Sequence, residues 1–242
     1  MVVVRVPILC YHRIETPPSS SAGDTNFVTP ALFAAHLRAL TALGFRGVTV
    51  GDLLRWQRGE GSLPPRPIAI TFDDAYASVV EHAFPQLAAI GWPSTIYAVT
   101  AYLGRTNAWD PHAPPSALLD AAALRDARSV GHDVGAHTRH HRRLKGLDQT
   151  ACHEELAVAR AELEQAIGAP CDSIAFPYGS HDRATLRAVQ RAGYRGACTL
   201  KRWTNGRRTN PLRLGRMSVG GPLPSWKLLG KLGKMFLTPA FT

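Results

Sequence analysis

Residues 68–74, Ile-Ala-Ile-Thr-Phe-Asp-Asp, join an apolar, β-prone run to two adjacent carboxylates. Such a run is typical of a strand that is buried on both faces, as in a parallel sheet. Two like charges at the end of a buried strand are costly unless a cation compensates them. A metal ion, with one carboxylate as its ligand and the other as a base, is one solution. The alternative is an Asp-rich turn or helix cap, because Asp is favoured in both.

The rest of the chain alternates further β-prone runs with segments of helical spacing. Strands are predicted at residues 2–10, 47–50, 68–72, 94–99, 133–136, 173–176 and 194–199. Helices are predicted at residues 30–43, 53–56, 77–90, 116–129, 148–167 and 181–192, the first with Thr29 as N-cap and Pro30 at N1. This alternation predicts an α/β fold, either a (β/α) barrel or a doubly wound sheet, with about seven strands. A chain of 242 residues fits a single domain of this class.

The net charge and the cysteine spacing bear on which partners and which kinds of metal or disulfide site the chain could have. The formal charge of +10, from 28 Lys and Arg against 18 Asp and Glu, would suit nucleic acid, phospholipid or an acidic glycan. No motif selects one of these, and we expect a basic surface that serves solubility, with no nucleic-acid partner. The four cysteines form no CxxC pair, which argues against a thiolate zinc site and a dense disulfide framework. We expect all four to be small buried residues: Cys10, Cys152, Cys171 and Cys198.

The N-terminal apolar run before Pro7 is too short for a signal peptide, and no stretch of about 18 uncharged apolar residues is present to span a membrane. We therefore expect a cytoplasmic or peripheral membrane location, or an extracytoplasmic one if a leader has been removed.

Polar residues follow several of the predicted strands. In α/β folds the loops at the carboxyl ends of the strands build the active site. The residues in that position are His12, Asp73, Asp74, His137, His141 and the pair Pro177-Tyr178. The sequence therefore predicts that these side chains meet at one end of the fold.

His137 and His141 are four residues apart, so in a helical segment both imidazoles would lie on one face and could bind one cation. The alternative is a surface histidine cluster in a basic loop, since three arginines surround the pair. Together with Asp74 they form a two-His-one-carboxylate set, which fits zinc with open positions and also suits iron, cobalt or nickel. There is no Glu after His137, so the HExxH pattern of metalloproteases is absent.

Three motifs resemble those of the polysaccharide deacetylases, the NodB-homology or carbohydrate esterase family 4 group. Residues 71–74 read TFDD, residues 137–141 match the motif H-[S/T]-x-x-H, and residues 176–179 end in Pro-Tyr-Gly. The resemblance covers roughly residues 6 to 200 and implies an irregular (β/α) barrel of about seven parallel strands. That expectation agrees with the number of strands predicted from the periodicity.

The resemblance also implies roles. Asp73 is the general base that activates water, and Asp74, His137 and His141 hold a divalent metal, zinc in the first place with cobalt, nickel or iron as alternatives. The backbone N–H of Tyr178 helps to hold the oxyanion. The implied reaction is the removal of N-acetyl groups from an N-acetylhexosamine glycan, with a general acid that protonates the leaving amine.

The general acid is where the chain departs from the commoner pattern of the family. Most members have a C-terminal Leu-x-His motif, but no histidine follows His181 here. His12, in the stretch Ile8-Leu9-Cys10-Tyr11-His12, resembles the N-terminal Tyr-His of the circularly permuted branch, which includes the poly-N-acetylglucosamine deacetylases. The resemblance implies that His12 is the acid; the alternative is a histidine that caps a strand end through an ordinary hydrogen bond.

Two substitutions within the motifs are expected to matter. Ala75 stands where glycine normally follows TFDD, which would strain the turn if that residue needs a positive φ. Ala175 stands where many members have an arginine that tethers the base, although the permuted branch also tends to lack that arginine.

Residues 201–242 are interpreted as a C-terminal extension of the catalytic domain, either packed on it or at a membrane surface. Residues 226–237 place Lys227, Lys231 and Lys234 on one helical face. We expect a helix packed on the barrel, with an interfacial anchor on anionic lipid as the alternative.

Two other functions remain open at this stage. The same chemistry could act on a small amide, a lipid-linked sugar or a peptidoglycan strand. A non-catalytic glycan-binding module on the same scaffold would also account for Ala75 and Ala175, although such a module has no physical need for the costly pair of aspartates.

Overall fold

The computed structural model describes residues 4–21 and 24–238. Its strands in chain order are β1 (Ile8–Tyr11), β2 (Arg13–Ile14), β3 (Phe27–Val28), β4 (Arg46–Val48), β5 (Pro67–Phe72), β6 (Thr95–Ala98), β7 (Asp133–Ala136), β8 (Ser173–Ala175), β9 (Gly196–Cys198) and β10 (Met217–Ser218). The main sheet has the order β10-β1-β5-β6-β7-β8-β9, with β4 also paired to β5. All of its pairings are parallel. β2 and β3 form a separate two-stranded sheet, which is also parallel. This curled parallel sheet agrees with the predicted NodB-type (β/α) barrel.

The helices are α1 (Pro30–Ala42), α2 (Val50–Arg58), α3 (Phe84–Ala88), α4 (Ala121–Ser129), α5 (Gln149–His153), α6 (Ala159–Ile167), α7 (Arg183–Arg191) and α8 (Ser225–Leu237). Two segments are π-helical. Val79–Ala83 directly precedes α3, and Glu154–Val158 joins α5 to α6. Short 3₁₀ turns lie at Ser19–Ser21, Thr100–Tyr102, Pro177–Gly179 and Pro211–Arg213.

All seven predicted strands are present, as β1 and β4 to β9. Residues 2 and 3 of the first predicted strand lie outside the described residues. The sequence did not indicate β2, β3 and β10, because a strand of two residues is too short to show a period. Every residue of β5 is buried, as expected for a strand covered on both faces.

The helix boundaries follow the capping residues. Thr29 caps α1 by accepting a hydrogen bond from the N–H of Leu32, and Pro30 is the first helical residue, as predicted. The predicted helix at 116–129 is too long, because residues 117 and 118 form β-bridges and the helix begins only after Asp120, which caps it. The four cysteines are free and buried, as predicted.

The segment from Leu214 to Ser218 links the two edges of the curled sheet. At one edge the N–H of Leu214 donates to the carbonyl of Ala197 in β9, and at the other edge β10 pairs in parallel with β1. Residues 201–242 were interpreted as a C-terminal extension packed on the catalytic domain or at a membrane surface. Within this segment, β10 pairs with β1 and so belongs to the main sheet. Helix α8 packs against α1, and its Leu228, Leu232 and Met235 join the apolar cluster that includes α1. Residues 239–242 of that segment lie outside the described residues.

None of the helices in the described part of the chain has the length and apolar composition needed to cross a bilayer.

The register of the sheet brings the strand ends together. Tyr11 at the end of β1 is paired with Phe72 at the end of β5, and Ala98 of β6 with Ala136 of β7. Because the strands are parallel, the residues that follow them emerge at the same edge. This edge is where the candidate site lies.

Candidate active site and metal centre

A cleft of about 180 Å³ opens at the carboxyl edge of the sheet. It brings together all of the site residues predicted from the sequence. Its lining includes His12, Asp73, Asp74, His137, His141 and Tyr178, together with Asn26, Tyr76, Trp109, Asp110, Leu200 and Ser218. The first six come from four separate loops, so their proximity is a property of the fold and not of the sequence spacing.

Asp74, His137 and His141 form a compact set of metal-binding groups. Their ligand atoms lie within 4.8 Å of one another. Oδ1 of Asp74 is 3.5 Å from Nε2 of His137 and 3.2 Å from Nε2 of His141. Two ligand atoms at about 2.0–2.1 Å from a tetrahedral zinc are separated by roughly 3.3 Å, so the spacing fits such an ion.

Two further observations support the fit of a cation. Oδ1 of Asp74 is buried and has no hydrogen-bond partner among the described residues, which is costly without a positive charge nearby. Nδ1 of His137 donates to the carbonyl of Ala175 at 2.8 Å, which leaves the Nε2 lone pair free to bind a metal. The residues present therefore fit a divalent metal, held by Asp74, His137 and His141.

The electrostatics of this set also suit metal binding. Burial lowers the pKa of His137 to about 4, so its imidazole is neutral near pH 7. Burial by itself raises the pKa of Asp74, but the neighbouring imidazoles of His141 and His137 outweigh it and lower that pKa to about 2. A neutral imidazole and a charged carboxylate are the forms that bind metals.

The loop that carries the two histidines is not helical, so helical spacing is not what brings the imidazoles together. Thr138 and His141 have positive φ values of 65° and 60°. The buried carboxylate of Glu155 holds the loop by accepting hydrogen bonds from the backbone N–H groups of Arg139, at 3.1 Å, and His140, at 2.9 Å. Two left-handed residues thus turn the chain so that both Nε2 atoms face Asp74.

The turn after β5 is strained at the positions that the sequence singled out. Asp74 has a φ of 72° and Ala75 a φ of 59°, so two consecutive non-glycine residues are left-handed. Each costs roughly 1–2 kcal/mol relative to the right-handed region. The expected strain at Ala75 is therefore present. Because of this turn, the side chains of the adjacent Asp73 and Asp74 point in different directions.

Asp73 is held by an arginine that the sequence reasoning missed. Nη1 of Arg216 donates to Oδ1 at 2.6 Å and Nη2 donates to Oδ2 at 2.8 Å, in a bidentate pair that is almost fully buried. Nη1 of Arg216 also lies 3.2 Å from the hydroxyl of Thr71. In this chain, where position 175 is an alanine, Asp73 is thus tethered by Arg216, which directly precedes β10. Position 216 carries no local signal, because the pairing depends on how β10 joins the sheet.

Cys10 adds a second donor to the same carboxylate. Its Sγ lies 3.3 Å from Oδ2 of Asp73, and burial raises the pKa of the Cys10 thiol well above its usual value, so the thiol is protonated and donates. Burial by itself would raise the pKa of Asp73, but the charge and hydrogen bonds of Arg216, together with the nearby His137, outweigh it and hold that pKa well below its usual range. Asp73 is therefore a charged, fixed acceptor at neutral pH.

His12 lies close to both Asp73 and Cys10. A ring nitrogen of His12 is within 4.8 Å of both the Asp73 carboxylate and Sγ of Cys10. The residue directly follows β1, is half-buried and lines the cleft, so it is in reach of a group bound there.

Aromatic rings form the outer wall of the cleft. The ring of His141 lies 4.9 Å from those of Trp109 and Tyr178, and Tyr178 has a φ of 57° and is half exposed. The guanidinium of Arg143 lies over the ring of Tyr178 at 3.9 Å. Such a wall offers the flat apolar faces on which sugar rings can pack.

A buried arginine supports the wall next to His12. The guanidinium of Arg13 lies over the rings of Phe27, at 4.7 Å, and Tyr76, at 4.3 Å, and its Nη2 donates to the Tyr76 hydroxyl at 3.1 Å. Its Nε and Nη1 atoms have no hydrogen-bond partner in the part of the chain that the structure describes. Cation–π contacts therefore stabilise this charge, and they fix Tyr76 at the side of the cleft.

The sequence is similar to a family model and to several known proteins. Residues 60–197 match the family model for polysaccharide deacetylase. The chain is 24% identical over 195 residues to YxkH of Bacillus subtilis, covering 81% of this chain and 64% of the length of that protein. It is 25% identical over 208 residues to the poly-beta-1,6-N-acetyl-D-glucosamine N-deacetylase of Staphylococcus epidermidis, covering 80% of this chain and 71% of that enzyme.

Two solved structures have the same fold. The deacetylase PplD of Streptococcus pyogenes superposes with a TM-score of 0.82 at 22% identity, over 96% of this chain and 99% of that chain. IcaB of Ammonifex degensii superposes with a TM-score of 0.74 at 22% identity, over 94% of this chain and 97% of that chain. At this identity the structures establish the likeness of fold.

The family match covers more than half of the chain and contains the two aspartates, the two histidines and the Pro-Tyr-Gly turn of the cleft. This protein belongs to the polysaccharide deacetylase family.

Proposed function

We propose that the chain is a metal-dependent N-deacetylase that hydrolyses the N-acetyl groups of an N-acetylhexosamine glycan. The observation that carries the proposal is the convergence of Asp74, His137 and His141 beside an Asp73 that is buried, charged and fixed by Arg216. The relative from Staphylococcus epidermidis is a poly-beta-1,6-N-acetyl-D-glucosamine N-deacetylase, and this supports an N-acetylhexosamine glycan as the class of substrate.

Asp74, His137 and His141 would hold the metal, with zinc as the first candidate and cobalt, nickel or iron as alternatives. When bound, a divalent metal supplies Lewis acidity, which polarises an amide carbonyl and lowers the pKa of water. All other steps fall to side chains and backbone groups of the chain.

Asp73 is the proposed general base. Its carboxylate is charged at neutral pH and held in one orientation by Arg216, so it can accept the proton of a water that attacks the amide. Its position at the carboxyl end of β5 places it in the cleft lining, next to Asp74. The two adjacent carboxylates thereby take different roles, as the resemblance implied.

His12 is the proposed general acid. It lines the cleft within 4.8 Å of the Asp73 carboxylate, so a proton on its ring can be passed to the leaving amine of the sugar. The backbone N–H of Tyr178, in the left-handed turn after β8, is the proposed donor to the developing oxyanion. Trp109 and the ring of Tyr178 offer the faces that orient the sugar.

The test combines acetate release with elemental analysis of the purified protein. Asp73→Asn is expected to abolish acetate release from N-acetylglucosamine oligomers and to keep the metal. His137→Ala is expected to lose the metal as well, because it removes one of three ligands. His112→Ala, an exposed histidine, is the control and should change neither measurement.

Deacetylation that persists in Asp73→Asn contradicts the assignment of the base. A panel of β-1,6-linked and β-1,4-linked oligomers, peptidoglycan strands and small amides then identifies the substrate. Release of acetate from small or peptidoglycan substrates alone would favour the alternative amidase function. Binding of glycan by the metal-loaded chain without release of acetate from any of them would favour a non-catalytic glycan-binding module.

A further inference from the structure

Helix α8 has an inner and an outer face. Its inner face packs Leu228, Leu232 and Met235 into the apolar cluster beside α1, each of them buried. The inner face therefore explains why the helix stays on the barrel. It leaves the composition of the outer face unexplained.

The outer face exposes two large apolar side chains. Trp226 is 70% exposed and Leu237 is 84% exposed, which is unfavourable for side chains of this size. They are eleven residues apart, so at about 100° per residue they lie within roughly 20° of each other around the helix. Gly230 and Gly233 lie between them on the same side, and a Cβ added at either would meet nothing within 4 Å. The result is an open apolar stripe along the helix.

A row of lysines borders this stripe. Lys227, Lys231 and Lys234 are exposed, and none of them has a carboxylate partner within salt-bridge distance among residues 24–238. The helix contains no acidic residue. Nζ of Lys227 lies 5.1 Å from the ring of Trp226, so charge and apolar surface are contiguous.

We propose that the outer face of α8 is a docking surface for an anionic lipid bilayer. Three unpaired lysines provide the attraction to lipid phosphates, and Trp226 and Leu237 provide side chains that can enter the interface between head groups and acyl chains. A nucleic acid or an acidic glycan would use the lysines but would leave the exposed leucine and tryptophan without a role. Each lysine near an anionic surface strengthens binding by about fivefold, so three together contribute roughly 100-fold.

The position of α8 gives this docking a defined orientation. The helix begins seven residues after Ser218, which lines the cleft, and near its end the carbonyl of Phe236 accepts a hydrogen bond from Arg5, which precedes β1. It therefore runs along the side of the barrel from the cleft end to the opposite end. A bilayer on this face would lie beside the mouth of the cleft, where it could meet glycan held near a membrane. The inference does not depend on the proposed deacetylation.

The test is flotation of the full chain with vesicles of phosphatidylcholine alone and of phosphatidylcholine with phosphatidylglycerol. We expect binding only to the anionic vesicles, weakened by salt. The triple variant Lys227→Glu, Lys231→Glu, Lys234→Glu should bind them at least 100-fold more weakly, and the double variant Trp226→Ala, Leu237→Ala about 10-fold more weakly. All five side chains point to solvent or are partly exposed, so the melting temperature should not change.

Helix α7 offers a matched control. It also carries three exposed basic residues at helical spacing, Arg183, Arg187 and Arg191, but exposes no large apolar side chain. Reversal of these three charges to Glu should weaken vesicle binding less than threefold. The proposal is overturned if the α7 variant loses as much binding as the α8 variant, or if the parent chain binds both vesicles equally. Dimerisation through Trp226 without vesicle binding would also overturn it and assign the face to a second copy of the chain.

Discussion

The replacement of Arg216 by Met tests how strongly the base is held. The guanidinium is fully buried and donates to both oxygens of Asp73, at 2.6 and 2.8 Å, and to the hydroxyl of Thr71 and the carbonyl of Thr199, each at 3.2 Å. Arg216→Met keeps an unbranched apolar stem but removes the guanidinium, which leaves the Asp73 charge buried and without its cationic partner. Removing one partner of a buried pair costs about 3–5 kcal/mol. For a chain of this size that corresponds to a fall of roughly 10 °C in the melting temperature.

The assay is urea unfolding of the metal-free protein, carried out as a double-mutant cycle with Asp73→Asn. We expect each single variant to be destabilised and the two changes to couple by about 2–3 kcal/mol, because the double variant leaves no unpaired ionic partner. Deacetylation by Arg216→Met should fall at least 100-fold, since the base loses its fixed orientation.

A bidentate pair on the surface provides the control. Arg58 donates to both carboxylate oxygens of Glu60, at 2.9 and 2.6 Å, but Glu60 is more than half exposed. Arg58→Met should therefore destabilise the fold far less than Arg216→Met and leave activity unchanged. If Arg216→Met costs no more than Arg58→Met, or if the Arg216 and Asp73 changes are additive, the pair does not hold the base and the reasoning is wrong.

Three further predictions concern backbone strain, packing and pH. Ala75→Val should destabilise the fold by about 2 kcal/mol in urea unfolding, because a β-branched residue tolerates a φ of 59° poorly, whereas Ala75→Gly should stay within about 1 kcal/mol. Gly135→Ala should cost about 2 kcal/mol or more in the same assay, since its Cβ would lie 2.7 Å from the carbonyl oxygen of Ser173. Burial lowers the pKa of His132 to about 4, while the unfolded chain takes up the proton near pH 6.5. Stability should therefore fall as the pH drops from about 6.5 to 4, by about 2 kcal/mol after allowance for partial hydration of the ring. In His132→Asn this part of the pH dependence should disappear, and an unchanged profile would contradict the assignment.

The strand pattern and the caps could be predicted because their causes are local. The buried run at residues 68–72, the Thr29-Pro30 cap and the alternation of strands and helices each depend on a few neighbouring side chains. The β-bridges at residues 117 and 118 were mistaken for the start of a helix, because their partners at residues 76 and 106 are distant in the sequence. The strands β2, β3 and β10 were missed because two residues are too few to show a period.

The set of site residues could be predicted because parallel strands direct their following loops to one edge. His12, Asp73 and His137 each follow a strand directly, and the structure brings them into one cleft. The four-residue spacing of the two histidines predicted a shared cation on the assumption of a helix. The loop is not helical, so that assumption is wrong although the two imidazoles do converge. Their convergence instead requires left-handed residues at 138 and 141 and the anchoring carboxylate of Glu155.

The sequence alone determined the order and type of the main strands, the residues that emerge at their carboxyl ends and the acidic pair at 73 and 74. These features depend on period, on capping and on the fixed direction of parallel strands, all of which are written into short stretches of chain. Only the tertiary structure decided that Arg216 fixes Asp73 and that Cys10 donates to it. Those contacts join residues up to 143 positions apart, and they exist only because the barrel wall brings β1, β5 and β10 side by side.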